Sequence, residues 1–194
     1  MIFHIIQARL GSERFPKKTI QKIAGKTLLE HHIERTMSKD FRQIVIMPPQ
    51  DRDEMKKYPY GREIDFHSDL GDRDLLGAYF RAAVKNGASE GDWIVRTTAD
   101  CPFIDTAWFI KTIGMAQIYD MPIFNCFKEG SSTEVFKFEH LKRAHEELPA
   151  IDQCDEYQRQ CREHCTKYFI HGFEKESIDT KADFDREKVK YERA

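Results

Sequence analysis

The chain has 194 residues, 31 Lys+Arg against 33 Asp+Glu, a formal net charge of −2 and 40% hydrophobic residues. That length suits one domain with a real core, expected to span 1–194, and the charge balance excludes a global pull toward nucleic acid or an anionic membrane. No apolar run is long enough to cross a bilayer, and Met1-Ile2-Phe3-His4 has neither the basic segment nor the long apolar stretch of a signal peptide, so a cytoplasmic location is expected.

In chain order, an apolar run over 2–6 predicts a buried strand, followed by the cation-rich loop QARLGSERFPKK over 7–18. Helical spacing resumes over 28–37, and short strands are predicted over 43–47 and 63–67. A helix over 73–86, a strand over 93–96 and a helix over 106–119 continue the alternation. The second half is less regular: strands over 121–127 and 134–138, a helix over 138–147, and a charged helix-compatible stretch over 152–167. Short strands over 168–171 and 175–178 precede a solvated terminal helix beyond Asp179, with Phe184 and Val189 as its anchors. This βαβα rhythm predicts an α/β fold with a mostly parallel, doubly wound sheet. Pro48-Pro49 and Pro59-Tyr60-Gly61 read as breakers inside the domain. His31-His32 and the charged run over 51–57 read as solvated helix faces.

Cys101, Cys126, Cys154, Cys161 and Cys165 form no CxxC pair and read as reduced, small packing residues. Cys161, His164 and Cys165 lack the second ligand pair of a zinc site.

The loop over 7–18 carries the chemistry. Gly11 permits close approach of the backbone to an anion and Pro16 stiffens the loop. Arg9 and Arg14 supply forked donors, and Lys18 a compact charge. Neither a Walker A sequence nor GxGxxG occurs, so an exposed basic loop remains the alternative reading. Asp100 ends a Thr-rich strand before Cys101-Pro102, which suits either a turn residue or a ligand for a hard divalent ion.

QARLGSERFPKKTI resembles the opening motif of the cytidylyltransferases that activate sugars for surface polysaccharides, including the spore-coat, acylneuraminate and 3-deoxy-manno-octulosonate types. Arg96-Thr97-Thr98-Ala99-Asp100-Cys101-Pro102, Thr133-Glu134-Val135-Phe136 with Arg162-Glu163-His164, and Ile178-Asp179-Thr180-Lys181-Ala182-Asp183 follow in family order. The resemblance implies a Rossmann-like nucleotide-diphospho-sugar transferase fold and transfer of CMP from CTP to a sugar, an acidic one for polysaccharide, with release of pyrophosphate. It implies nucleotide binding by Ala8, Arg9, Gly11, Ser12, Arg14, Lys18, Thr98 and Asp100, with Arg9, Lys18 and Asp100 in catalysis. Glu134, Arg162 and His164 would contact the sugar, and Asp100 and Asp179 would hold Mg²⁺. Asp179 reads equally as the N-cap of the terminal helix, Glu134 as an edge-strand residue and His164 as a core or interface residue. Homodimerisation stays open. The chain departs from the family pattern at Lys17 (usually Gly), at Pro48-Pro49 near the base, and at Ala78 (usually Arg). A glycosyltransferase of the same general fold and a catalytically silent nucleotide-sugar binding homologue remain alternatives; the first is disfavoured by the lack of a D-x-D motif at Asp100.

Overall fold

A computed structural model describes residues 1–58, 60, 65–67, 75–118, 120, 123–126, 133–147 and 177–192. The apolar run becomes β1 (Ile2–Gln7), whose inner residues are buried because strands lie on both sides of it. It pairs in parallel with β4 (Phe41–Ile46) and β6 (Trp93–Thr98), and β4 pairs in parallel with β5 (Asp65–His67). β8 (Thr133–Lys137) joins β6 antiparallel, and β7 (Ile123–Cys126) joins β8 antiparallel. The strand order β5-β4-β1-β6-β8-β7 is therefore a mostly parallel α/β sheet, as the alternation predicts. β2 (Lys22–Ile23) and β3 (Lys26–Thr27) form a separate hairpin turned by Ala24 and Gly25, both at positive φ.

Side-chain alternation along the strands builds two cores. Phe3, Ile5, Ile44, Ile46, Ile94 and Phe136 face α3 (Leu75–Lys85) and α5 (Phe138–Glu147). Ile6, Val45 and Val95 face the opposite way, toward α1 (Leu28–Arg35), α2 (Arg52–Met55) and α4 (Thr106–Ile118). α1 starts where the sequence places it because Thr27 and Glu30 form a reciprocal capping box. α6 (Lys181–Glu192) docks against the β2–β3 side through Phe184. No helix among the described residues is long and apolar enough to cross a membrane.

Several expectations need correction. His31 and His32 are buried, because α1 turns Leu28, Leu29 and Ile33 inward and His32 shares their stripe. In the run over 51–57, Arg52, Asp53, Lys56 and Lys57 are exposed as expected, while Asp51 and Met55 are buried. Val189 is 49% exposed; Phe184 anchors α6, and Tyr191 stacks on Phe103 in place of Val189. Glu134 sits on an internal strand between β6 and β7, not at an edge. The segments over 152–167 and 168–171, with Cys154, Cys161, Arg162, His164 and Cys165, lie outside the described residues.

Candidate active site

Chain connections leave β1 toward β4 and later resume at β6 on its other side. The carboxyl ends of β1 and β6 thus flank the point where strand order reverses, the place where open α/β sheets bind ligands. A cleft of about 350 Å³ opens there, between the loop after β1 and the turn after β6.

The loop after β1 is held from below and left open above. Leu10 and Phe15 are buried, and Phe15 packs edge-on against Phe184 of α6. The Leu10 carbonyl accepts from the amides of Ser12 and Lys17, both at 2.9 Å, and the Ser12 hydroxyl accepts from the Phe15 amide at 3.3 Å. Thr19 donates to the Arg9 carbonyl at 2.8 Å. The Leu10 amide donates to the Asp51 carboxylate at 2.7 Å, so the Pro48-Pro49 segment supplies a brace for this loop. The left-handed residue is Lys17, at φ 56, where Gly would carry no steric cost. At Gly11 a β-carbon would meet no protein atom within 4 Å, which leaves room above the backbone for an anion.

Ala8, Arg9, Gly11, Ser12, Arg14 and Lys18 all line the cleft, as do Thr98, Asp100 and Asp179 across from them. Lys18 is the junction. Its buried ammonium donates to Asp100 Oδ2 at 3.1 Å, to the Ile178 carbonyl at 3.0 Å and to Asp179 Oδ1 at 3.5 Å. Arg14 approaches the same Asp179 oxygen at 3.5 Å from the exposed side. Burial alone would raise the Asp100 pKa, but the Lys18 charge and hydrogen bonds from Thr98 and Lys18 outweigh it and hold the carboxyl below its ordinary value. The Ile178 amide donates to the Asp100 carbonyl at 2.8 Å, which ties the two aspartates together through the backbone as well.

Asp179 is not the helix cap. The Asp183 amide donates to the Thr180 hydroxyl at 3.2 Å, and the Asp183 carboxylate accepts from the Thr180 amide at 2.9 Å. Thr180 thereby caps α6 and the Asp179 carboxylate turns toward Lys18. Bonds to the Asp183 carboxylate from the Thr180 hydroxyl and amide, with further ones from Arg186 and the Asp179 amide, outweigh burial and hold its pKa at about 2.

Gln7, which opens the loop motif and has no expected role, lines the cleft. Its side-chain oxygen accepts from Arg96 Nη2 at 3.0 Å and from the Tyr79 hydroxyl at 3.3 Å. That occupies both lone pairs and leaves its NH₂ as a fixed donor. Behind it Arg96 Nη1 pairs with Glu134 Oε1 at 2.8 Å, while Glu134 Oε2 is buried without a partner among the described residues. Glu134 therefore stands two contacts behind the cleft wall, through Arg96 and Gln7, and Arg162 and His164 lie outside the described residues. Ala78, on the inner face of α3, is fully buried in the core, away from the cleft. Among the described residues no group of three or more His, Cys, Asp or Glu could hold a metal. Asp100 and Asp179 offer two carboxylates in the cleft, which suits an ion such as Mg²⁺ that fills its remaining positions with water and phosphate oxygens.

In architecture the molecule is a Rossmann-like nucleotidyltransferase fold, with a cation-lined loop facing two aspartates across the sheet edge. The chain belongs to the cytidylyltransferase family, whose sequence model matches residues 3–188. It is 30% identical over 106 residues to a 3-deoxy-manno-octulosonate cytidylyltransferase of Solibacter usitatus, covering 55% of this chain and 41% of that protein. It is 28% identical over 171 residues to an uncharacterized protein of Methanocaldococcus jannaschii, covering 86% of this chain and 66% of that protein. The chain therefore spans less than two thirds of the length of each of these relatives. A cytidylyltransferase structure from Leptospira borgpetersenii superposes with a TM-score of 0.78 at 24% identity, over 96% of this chain and 84% of that one. A CMP:2-keto-3-deoxy-manno-octonic acid synthetase complexed with CTP superposes with a TM-score of 0.70 at 12% identity, over 99% and 98%.

Proposed function

We propose that the chain transfers CMP from CTP to a hydroxyl of a sugar, an acidic sugar destined for surface polysaccharide, and releases pyrophosphate. The observation that carries this reading is the Lys18 junction, where the anion-binding loop meets Asp100 and Asp179 in one cleft. Exposed Arg9 and Arg14 hold the outer phosphates as charge grows on the leaving pyrophosphate. The acceptor oxygen forms a bond to the α-phosphorus, the bond to the bridging oxygen breaks, and the hydroxyl proton passes to solvent. Mg²⁺ held by Asp100 and Asp179 would supply charge neutralisation between phosphate and attacking oxygen. Gln7 donates a hydrogen bond to a substrate acceptor atom, with its orientation set by Arg96 and Tyr79.

Pyrophosphate release measured across four NTPs, with a panel of acidic and neutral sugars and with or without Mg²⁺, tests the reading. CTP with one acidic sugar should give Mg²⁺-dependent release. Release of a nucleoside mono- or diphosphate from a nucleotide sugar, with no pyrophosphate from any NTP, would favour the glycosyltransferase instead.

A further inference from the structure

Beneath the Asp100 turn, on the sheet face away from Gln7 and Arg96, a row of polar side chains is buried where aliphatic packing would serve the core. His4 on β1 and His32 on α1 are both fully buried. Each places Nε2 against the same Thr97 hydroxyl, at 2.8 Å and 2.7 Å. Gln43 Nε2 lies 3.3 Å from His4 Nδ1, and His32 Nδ1 lies 2.8 Å from the Cys101 carbonyl oxygen.

Donor and acceptor counting gives this row one direction. The Cys101 carbonyl only accepts, so His32 Nδ1 carries the hydrogen and its Nε2 accepts from the Thr97 hydroxyl. Thr97 has then spent its only proton, so His4 donates to it from Nε2. His4 Nδ1 is bare and accepts from the Gln43 amide, which also donates to Thr36 Oγ1 at 3.1 Å. Both imidazoles are neutral, and they hold opposite tautomers.

We infer that Gln43, His4, Thr97 and His32 form a positioning relay that fixes the Cys101 carbonyl, and through it the adjacent Asp100 carboxylate, where Asp100 and Asp179 can share one cation. This rests on the reading of Asp100 and Asp179 as the metal-binding pair. The backbone of the turn is tied from Cys101 N to Thr98 O, from Ile104 N to Cys101 O and by the Ile178 amide on Asp100, while Lys18 and Thr98 hold the Asp100 carboxylate from the cleft side. The relay adds the link from this turn to α1 and the sheet interior. A buried network of this kind rigidifies what it holds, and breaking it in the middle leaves two buried nitrogens without partners. At its far end only Gln43 Oε1 is already buried with no partner among the described residues.

The test uses Thr97→Val, which keeps the shape and removes the hydroxyl, Thr97→Ser, which restores it, and His32→Asn, which keeps a donor toward Cys101. Long-range proton–nitrogen NMR of the full chain should show His32 protonated at Nδ1 and His4 at Nε2; matching tautomers would overturn the relay. Mg²⁺ titrated by calorimetry into CTP-saturated protein, well below the unfolding temperature, should bind at least tenfold more weakly to Thr97→Val. Thr97→Ser should bind it as the parent does, and His32→Asn should fall between them. CTP binding in the presence of a chelator should be unchanged. A Thr97→Val chain that unfolds earlier but binds Mg²⁺ within twofold of the parent would make the row merely structural, and should Thr97→Val fail to fold, His32→Asn decides on the same criterion. Asp100→Asn is the control: if it leaves Mg²⁺ affinity intact, the metal reading falls and the relay with it.

Discussion

The Leu10 amide donates to the buried carboxylate of Asp51 across the base of the loop after β1, at 2.7 Å. Pro48-Pro49 departs from the family pattern, yet it opens the 3₁₀ turn over Pro49–Asp51 that delivers this carboxylate. Asp51→Ala leaves the Leu10 N–H buried without its acceptor and should cost about 1.5–3 kcal/mol of stability. Asp51→Asn keeps an acceptor oxygen and should cost less. Urea unfolding of both variants checks the order, and equal stability in Asp51→Ala would remove the brace from the account.

Lys18→Met takes the shared cation from Asp100 and Asp179. Two facing carboxylates then repel, and the Asp100 pKa should rise from its depressed value. Removing this charge-assisted contact should weaken CTP binding by ~1.5–3 kcal/mol, roughly 10- to 100-fold, with the fold retained. Circular dichroism and calorimetry with CTP give the two readouts. Wild-type nucleotide affinity would take Lys18 out of the site.

Lys17 holds a left-handed backbone at φ 56 in the middle of the loop. Lys17→Gly relieves the Cβ penalty, roughly 1–2 kcal/mol, against a cost of about 0.5–1 kcal/mol in unfolded-chain entropy. Thermal unfolding should therefore show a small net stabilisation. A clear loss of stability would mean that the Lys17 side chain holds the loop by a contact of its own.

Gln7→Glu separates recognition from support. The new carboxylate still accepts from Arg96 and Tyr79, so stability should hold or rise, while the cleft-facing donor becomes an acceptor. Substrate affinity should fall by about 1–3 kcal/mol, roughly 5- to 150-fold, because two acceptors now face each other. Unchanged kinetics for all substrates would reduce Gln7 to a structural residue.

His4 and His32 make folding sensitive to mild acid. Burial lowers both pKa values, His32 to about 4; the Cys101 carbonyl bond and the Asp100 charge oppose the shift at His32, and the His32 charge reinforces it at His4. The unfolded chain takes up protons near the ordinary value of 6.5 while the folded chain does not, so this stability is complete above 6.5 and is lost as pH falls from there toward 4. Between roughly pH 7.5 and pH 5, His32 alone should cost about 2 kcal/mol. Asp100 and Asp183 titrate below this window, since both carboxyls sit under their ordinary value. Denaturant unfolding at the two pH values should show the loss, and it should shrink in His32→Asn.

The parallel sheet and the loop-facing-aspartate arrangement were legible because the alternation of periods and the ordered motifs are local signals. What was missed depends on contacts distant in sequence. Adjacent His31 and His32 look like a polar pair, but His32 falls four residues after Leu28 and three after Leu29, and that spacing was the available sign of its burial. Asp179 and Thr180 are both good capping residues in isolation; the T-x-x-D spacing from Thr180 to Asp183 decides between them. The β2–β3 hairpin turns on Ala24-Gly25, which lacks the Asn or Asp that usually announces such a turn. Glu134 could be placed only by strand order, because β8 returns antiparallel beside β6 and brings its carboxylate onto Arg96. Gln7 carried no signal of its own apart from its place in the motif.

Ile178 and Asp179 close the cleft by bonding to Asp100 and Lys18, and Phe184 packs on Phe15 of the first loop. The two halves of the Lys18 junction are thus made at opposite times during translation. A ribosome that has delivered the loop, the sheet strands and the Asp100 turn has still made no complete site, because the segment from Ile178 to Phe184 follows all of them in sequence. Nascent chains would stay silent toward nucleotide until that segment docks, and a chain cut short before Ile178 would keep most of its sheet while lacking the second aspartate.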